Sequence, residues 1–363
     1  MKKMTFILLF AVMVSACVPA VAPTPKPIPP TVEPTQDPKA LAAEIDALVQ
    51  KNHQDGFFDG VLLVAQNGQV ILKQGYGMAD RARNIPITPQ TRFPVASIQK
   101  QFTAMAILLL QEQGKLSVQD SLCDFVPDCP KDFEPVTLHH LLTHSSGVPA
   151  KTLWYKPGNE MLPENSSLYF QPGEKFMYSN VGFNLLDRVI ETASGQSYES
   201  YLQENIFDPL QMTNTGVAFQ DDDLAMGYKD VQSDLAATFP YGIVADVLIY
   251  STAEDMYRWD QALYGEDELL PQSALSAMFT PQMAVPDGEY YGFDGSTGWS
   301  YGYGWFIAPK EMGYVIHGGM LEGFRTEIRR YTDDKGLIIQ LCNHESVALY
   351  PIAEEIASML FGQ

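Results

Sequence analysis

The chain has 363 residues, 46% of them hydrophobic, enough to build the core of one large domain or two. Its 44 acidic against 23 basic residues leave a formal charge of −21, which excludes the basic stripe that a nucleic-acid partner needs to neutralise phosphates. A solvated acidic surface is the plain meaning of that charge.

The chain opens MKKMTFILLFAVMVSAC, two lysines ahead of an apolar run too short for a comfortable membrane span, which is the form of a secretion signal. Its end, Val14-Ser15-Ala16-Cys17, resembles the bacterial lipoprotein signal, in which small residues precede a cysteine that is lipidated and becomes the mature N-terminus. Residues 1–17 are therefore expected to be a signal peptide, with Cys17 the lipidation site. The linker, residues 18–40, is rich in proline: eight fall within the 21 residues from Val18 to Pro38, a composition that disfavours helix and core strand. As an extended tether at ~3.1 Å per residue it reaches up to ~65 Å. Two or more acyl chains on one residue suffice for stable attachment. The expected location is extracytoplasmic, lipid-anchored to the bacterial cell membrane.

From about residue 41 a helix leads into FDGVLLVAQNGQVILKQGYG, two apolar runs joined by Asn67-Gly68, the strongest short hairpin signal. Residues from about 96 to 239 read mostly as helices and loops, with turn-rich PKDFEP and THSSGVP between them. STAEDMYRWDQALY predicts a helix capped by Ser251 or Thr252. YGYGWFI, YVIHGG, FRTEIRRY and KGLIIQLCN then predict short strands, and a helix over roughly 347–361 closes the chain. The domain at 41–363 thus divides into an α/β part, about 41–95 and 240–363, around a helical part, about 96–239. Cys123 and Cys129 flank five residues and either close a small disulfide in an oxidising compartment or stay reduced, since spacing alone does not bring them together. Cys342, within an apolar run, reads as a buried thiol.

The chemistry begins in RFPVASIQKQFTAMAILLL, where Ser97 and Lys100 stand three apart at the head of an apolar helix. That spacing puts an amine beside a hydroxyl, as nucleophile activation requires, unless Lys100 snorkels out to solvent. Tyr178 and Asn180 in PGEKFMYSNVGF are the next candidates, because a cation beside a tyrosine favours the phenolate and makes it a general base. His317 in YVIHGGMLEGF is expected at a strand end, where it can donate to a substrate carboxylate or to Tyr178, and the following glycines permit close approach to the backbone. Lys73-Gln74-Gly75 and Lys156-Pro157-Gly158 are rejected as equivalents of that motif because both precede Tyr178. His140 and His144 have the four-residue spacing of metal ligands but lack the glutamate of a zinc-protease motif, so no metal is expected.

Ser97-Ile98-Gln99-Lys100, Tyr178-Ser179-Asn180 and His317-Gly318-Gly319 are each the only match to their patterns, and their order resembles the serine β-lactamase and penicillin-binding protein superfamily. LLTHSSG, FQPGEKFMYSNVGF, STAEDMYRWDQALY and YGYGWFI resemble it too, so the likeness covers residues 41–363. It implies an α+β fold, an antiparallel sheet flanked by helices with an inserted all-helical domain. It also implies that Ser97 is the nucleophile, Lys100 its proton acceptor or electrostatic helper, and Tyr178 the base that shuttles the proton. Asn180, His317 and Gly319 would bind substrate, and the backbone N–H groups of Ser97 and Met320 would form the oxyanion hole. No cofactor is implied. Histidine in place of the usual lysine of the third motif resembles carboxypeptidases, D-aminopeptidases and esterases of the superfamily. Asp246-Val247-Leu248 departs from the family's common glycine pair beside the substrate. The implied activity is hydrolysis of an amide or ester in a small-molecule or peptide acyl substrate. The alternatives are a penicillin-binding sensor that acylates without efficient turnover, and a weak β-lactamase.

Overall fold

A proline opens the first helix, α1 (Pro38–Gln54), where its missing N–H would be unsatisfied in any case. Leu41, Ile45 and Val49, four apart, are its buried face. The computed structural model describes residues 37–127, 129–149, 167–217, 224–230, 248–264, 269–287, 297–347 and 349–362. Cys17, residues 18–36 of the tether, Lys156-Pro157-Gly158, Asp246 and Val247 lie outside these residues; α1 begins at Pro38, inside the expected linker, and Leu248 is described and buried. Residues 38–363 form one compact unit.

β1 (Gly60–Gln66) and β2 (Gln69–Tyr76) make the expected hairpin, with Asn67 and Gly68 at φ of 53° and 72°, the left-handed turn that matches strand twist. β3 (Met78–Asp80), β4 (Ile85–Pro86) and β5 (Phe93–Pro94) lead to a 3₁₀ turn at Ala96–Gln99 and then α2 (Lys100–Glu112). Every α2 residue from Lys100 to Leu110 is buried, which is why its sequence is apolar nearly all round. α3 (Leu138–Leu142), α4 (Asn180–Ser194) and α5 (Tyr198–Leu202) follow, with α4 packed against α2. β6 (Gly216–Val217) and β7 (Ile249–Ser251) join β5 in a three-stranded sheet, ordered β5-β7-β6. Thr252, rather than Ser251, caps α6 (Ala253–Ala262) by accepting from Asp255 N–H. Trp259 of that helix donates from its indole to Gln101 at 2.8 Å, tying α6 to α2.

The remaining elements are α7 (Gln272–Phe279), β8 (Met283–Ala284), β9 (Ser300–Tyr301), β10 (Phe306–Ile307), β11 (Tyr314–Leu321), β12 (Phe324–Tyr331), β13 (Gly336–Cys342) and α8 (Leu349–Phe361). Among the described residues the main sheet has eight antiparallel strands ordered β2-β1-β13-β12-β11-β10-β9-β8. Strand alternation feeds two cores: Val61, Leu63 and Ile339 pack on the α2 face, and Leu62, Val64 and Ile338 on the α1 and α8 face. This is the antiparallel sheet flanked by helices that the sequence led us to expect.

Three local expectations resolve differently or more sharply. YGYGWFI is no single strand: Gly302 and Gly304 turn the chain between β9 and β10. A Cβ on Gly302 would stand 2.1 Å from Met278 O and one on Gly304 2.8 Å from Lys100 O, so only glycine lets this turn press against α7 and the start of α2. His317 lies within β11, which continues through both glycines, instead of at a strand end. Cys123 and Cys129 are disulfide-bonded, and Cys342 is free and buried. No helix of the described residues is long and apolar enough to cross a membrane.

Candidate active site

Val95 N–H donates to Ile249 O at 2.9 Å, carrying the β5 pairing up to the edge of the nucleophile turn. Ala96 then takes φ of 51°, a left-handed conformation that a residue with a Cβ holds only under constraint. Ser97 follows in the 3₁₀ turn and Lys100 starts α2. In 3₁₀ geometry residues three apart eclipse, which sets the lysine amine over the serine hydroxyl. Lys100 Nζ is 3.5 Å from Ser97 Oγ and donates to Asn180 Oδ1 at 2.8 Å. The residue is only 3% exposed, so it does not snorkel. Its amine also faces the rings of Tyr178 at 4.9 Å and Phe183 at 5.5 Å.

Tyr178 and Asn180 reach the same place because of Ser179 between them. Ser179 caps α4 in an extended conformation, φ −136° and ψ 112°, accepting from Gly182 N–H. Extended backbone sends residues i and i+2 to one side, which explains the Tyr-x-Asn spacing.

β11 closes the other wall. Its Gly319 lies against the nucleophile turn: a Cβ there would meet Thr326 Oγ1 at 2.2 Å, Val95 O at 2.5 Å and Ala96 Cβ at 2.9 Å. Thr326 Oγ1 donates to Val95 O at 3.0 Å across the same contact. The direction of the β11 amides follows from the ladder. Ala308 N–H donates to Tyr314 O, so Tyr314 and every second residue after it, including Gly318 and Met320, aim their backbone N–H and C=O toward the β10 side. β10 pairs only as far as Ile316, and among the described residues no strand pairs with β11 on that side beyond it. The Met320 N–H therefore looks out of an open strand edge, as an oxyanion donor must.

His317 departs from the expected role. Its Nδ1 is 2.8 Å from Gly318 O, which fixes the proton there, and Nε2 accepts from the Tyr301 hydroxyl at 3.1 Å. Both ring nitrogens are spent inside the protein. Burial, with Lys100 opposing a second charge, pushes its pKa down to about 3. The expected donor to a substrate carboxylate or to Tyr178 is replaced by a buried neutral ring, 1% exposed, whose nitrogens are engaged within the protein.

In the sequence, His140 and His144 show only the spacing of metal ligands. His140 Nδ1 accepts from Thr137 N–H in the cap of α3, and among the described residues no metal-ligating cluster exists. His144 lies at the site itself, its ring centroid 4.1 Å from that of Tyr178. The rejected Lys73 pairs with Glu254.

The structure thus brings Ser97, Lys100, Tyr178 and Asn180 together, with Gly319 packed on the nucleophile turn and Met320 beside it on the open edge. A hydroxyl beside a buried amine, a phenol against that amine and outward backbone N–H groups are the parts that serine acyl transfer requires. Comparison with known proteins agrees. A family model described as Beta-lactamase matches residues 43–354. The chain is 31% identical over 341 residues to "Penicillin-binding protein 4*" of Bacillus subtilis (strain 168), covering 84% of this chain and 73% of that one. Among solved structures, the octameric penicillin-binding protein homologue from Pyrococcus abyssi superposes with a TM-score of 0.74 at 30% identity, covering 88% of this chain and 77% of that one. A penicillin binding protein from Bacillus halodurans gives 0.72 at 28%, covering 88% and 98%. The chain belongs to the β-lactamase family, a family of serine hydrolases with the β-lactamase/transpeptidase-like fold.

Proposed function

We propose that this protein is an extracytoplasmic hydrolase that cleaves an amide or ester of a small-molecule or peptide acyl donor through an acyl-enzyme on Ser97, with activity of D,D-carboxypeptidase, D-aminopeptidase or esterase type. The observation that carries this reading is the buried Lys100 amine, placed between Ser97 Oγ and Asn180 Oδ1 and against the Tyr178 ring. In the first half-reaction Ser97 Oγ bonds to the carbonyl carbon while its proton passes toward Tyr178. The carbonyl oxygen takes the negative charge, facing the N–H groups of Ser97 and Met320. The bond to the leaving amine or alcohol then breaks, and the leaving group takes the proton. In the second half-reaction water adds to the acyl carbon, the ester to Ser97 breaks, and Ser97 regains its proton.

Neutral His317 favours acyl donors held by hydrogen bonds to the open edge at Gly318 and Met320 over donors clamped by an ion pair at the third motif. Val14-Ser15-Ala16-Cys17 and the proline tether support a lipid anchor on Cys17 in the cell membrane.

A fluorescent penicillin or an alkyl phosphonate is expected to label the purified protein once per chain, and Ser97→Ala to abolish labelling; labelling that survives the substitution removes Ser97 from the mechanism. A panel of nitrocefin, a D-Ala-D-Ala peptide, a D-amino acid amide and a p-nitrophenyl ester then separates the activities. Labelling with no turnover on any of them marks a sensor instead. Cys17→Ser is expected to lose the acyl mass and the membrane attachment, and an unmodified wild-type Cys17 refutes the anchor.

A further inference from the structure

We propose that His144 is the positioning residue of the acylation step: a neutral imidazole whose ring supports Tyr178 and whose Nδ1 holds the Ser179 backbone, so that Tyr178 and Asn180 are presented together to Lys100. The proposal rests on the reading of Ser97 as nucleophile given above.

His144 follows α3 and is itself held in an uncommon conformation, φ 54°, of the kind that persists only where surrounding contacts over-determine it. Three hydrogen bonds lace this segment to the strand-like approach to α4. Gly173 N–H donates to Ser145 O at 2.8 Å, Met177 N–H to His144 O at 2.7 Å, and Ser179 N–H to His144 Nδ1 at 3.1 Å. The last of these assigns the tautomer: Nδ1 is the acceptor, so the ring proton is on Nε2. That nitrogen is buried without a hydrogen-bond partner among the described residues. Among the described residues, no hydrogen bond on the far side of the ring competes with its hold on Ser179.

The ring is 1% exposed and is walled by aromatic rings: Tyr178 at 4.1 Å and 33°, Tyr301 at 4.8 Å, Phe183 at 5.0 Å and Phe176 at 5.7 Å. The titratable groups that face it are Lys100, His317, Tyr178 and Tyr301. Burial, then Lys100, then His317 push its pKa well below the usual histidine range. It therefore stays neutral, and a neutral Nδ1 can go on accepting from Ser179. One side chain thus fixes two things, the plane of the Tyr178 ring and the height of the Ser179 backbone from which Tyr178 and Asn180 diverge. A reacting group displaced by about 1 Å costs on the order of 10²-fold in rate, so a support of this kind is read in the chemical step.

The two halves of the role separate by substitution. His144→Phe keeps a ring and loses the acceptor; His144→Asn keeps an acceptor near Nδ1 and loses the ring. With p-nitrophenyl acetate and with a fluorescent penicillin, each is expected to slow acylation roughly 10- to 100-fold with KM nearly unchanged. Tyr178→Phe is expected to cost less in the His144→Phe background than in wild type, because the two act through one element. A loss confined to KM or to melting temperature, or full additivity with Tyr178→Phe, overturns the proposal. Should either variant fail to fold, ¹⁵N-histidine NMR of the wild-type protein decides. His144 must remain the Nε2–H tautomer from pH 5.5 to 8, and an Nδ1–H tautomer or a titration in that window overturns the role. That spectrum needs no turnover, so it is read even if Ser97→Ala retains labelling and the parent reading falls.

Discussion

Gly319→Ala isolates the contact on which the nucleophile turn is seated. The added Cβ would stand 2.5 Å from Val95 O, a backbone atom, whereas real Cβ contacts do not fall below 3.0 Å. β11 and the turn must therefore separate by at least ~0.5 Å. That shift moves the N–H of Ser97 on one side against the N–H of Met320 on the other. Losing one well-aimed oxyanion donor costs ~10²–10³ in kcat, about 2.7–4 kcal/mol, and overpacking of this kind costs ~1–3 kcal/mol of stability. We expect kcat and kcat/KM on a p-nitrophenyl ester to fall together by about two orders of magnitude, since the lost interaction belongs to the transition state. Removing Thr326 Oγ1 relieves only the 2.2 Å contact and leaves Val95 O in place. Adding Thr326→Ala is therefore expected to restore little. Activity within about threefold of wild type for Gly319→Ala, or full rescue by Thr326→Ala, would show that this contact does not set the oxyanion geometry.

His317 leads to a second prediction, with two parts. Its folded pKa of about 3 lies below the ~6.5 of an exposed imidazole, so the unfolded chain binds the extra proton below pH ~6.5. The stability gained by keeping it neutral is complete above that pH and is lost as pH falls toward 3. Denaturation midpoints are expected to decline over this window more steeply in wild type than in His317→Gln; equal slopes refute the assignment. Carboxylate-bearing and neutral esters should also share one kcat/KM profile from pH 5 to 8, and a limb confined to the former would restore a charged His317. The Cys123–Cys129 bridge, closing a separation of six residues, should contribute about 2 kcal/mol by loop entropy. Urea unfolding of the double serine variant measures it, and an unchanged free energy contradicts it.

Much of the site was legible because its chemistry is local in sequence. The spacing of Ser97 and Lys100 is one 3₁₀ turn, and that of Tyr178 and Asn180 is one extended residue, so both pairs survive as short patterns. The Asn67-Gly68 hairpin was legible for the same reason. What stayed hidden depends on packing. Whether His317 is charged depends on burial and on Lys100, brought in from a distant part of the chain, neither of which any spacing reports. His144 meets Ser179 across 35 residues, and its only local trace was a histidine ahead of the Ser145-Ser146-Gly147 turn. The β-rich YGYGWFI run misled because its glycines serve close approach to Met278 and Lys100, a use that looks like strand composition until the neighbours are placed.

The neutral state of both histidines follows first from their own burial and then from the burial of Lys100 beside them. An ammonium removed from water needs compensation, and it receives an oxygen from Asn180 and the faces of Tyr178 and Phe183, each ring contact worth up to about 2 kcal/mol when desolvated. A second positive charge this close would have to overcome repulsion in a poorly screened interior, and Lys100 accordingly holds down both His144 and His317. The imidazoles are thereby released from electrostatic duty and become rigid hydrogen-bonding plates, one beneath Ser179 and one against Gly318. The positive field beside Ser97 and Tyr178 then comes from Lys100 without competition from either histidine. On the acyl-transfer reading proposed above, the Ser97 proton passes to the Tyr178 oxygen beside Lys100, in an arrangement that neither neutral imidazole perturbs.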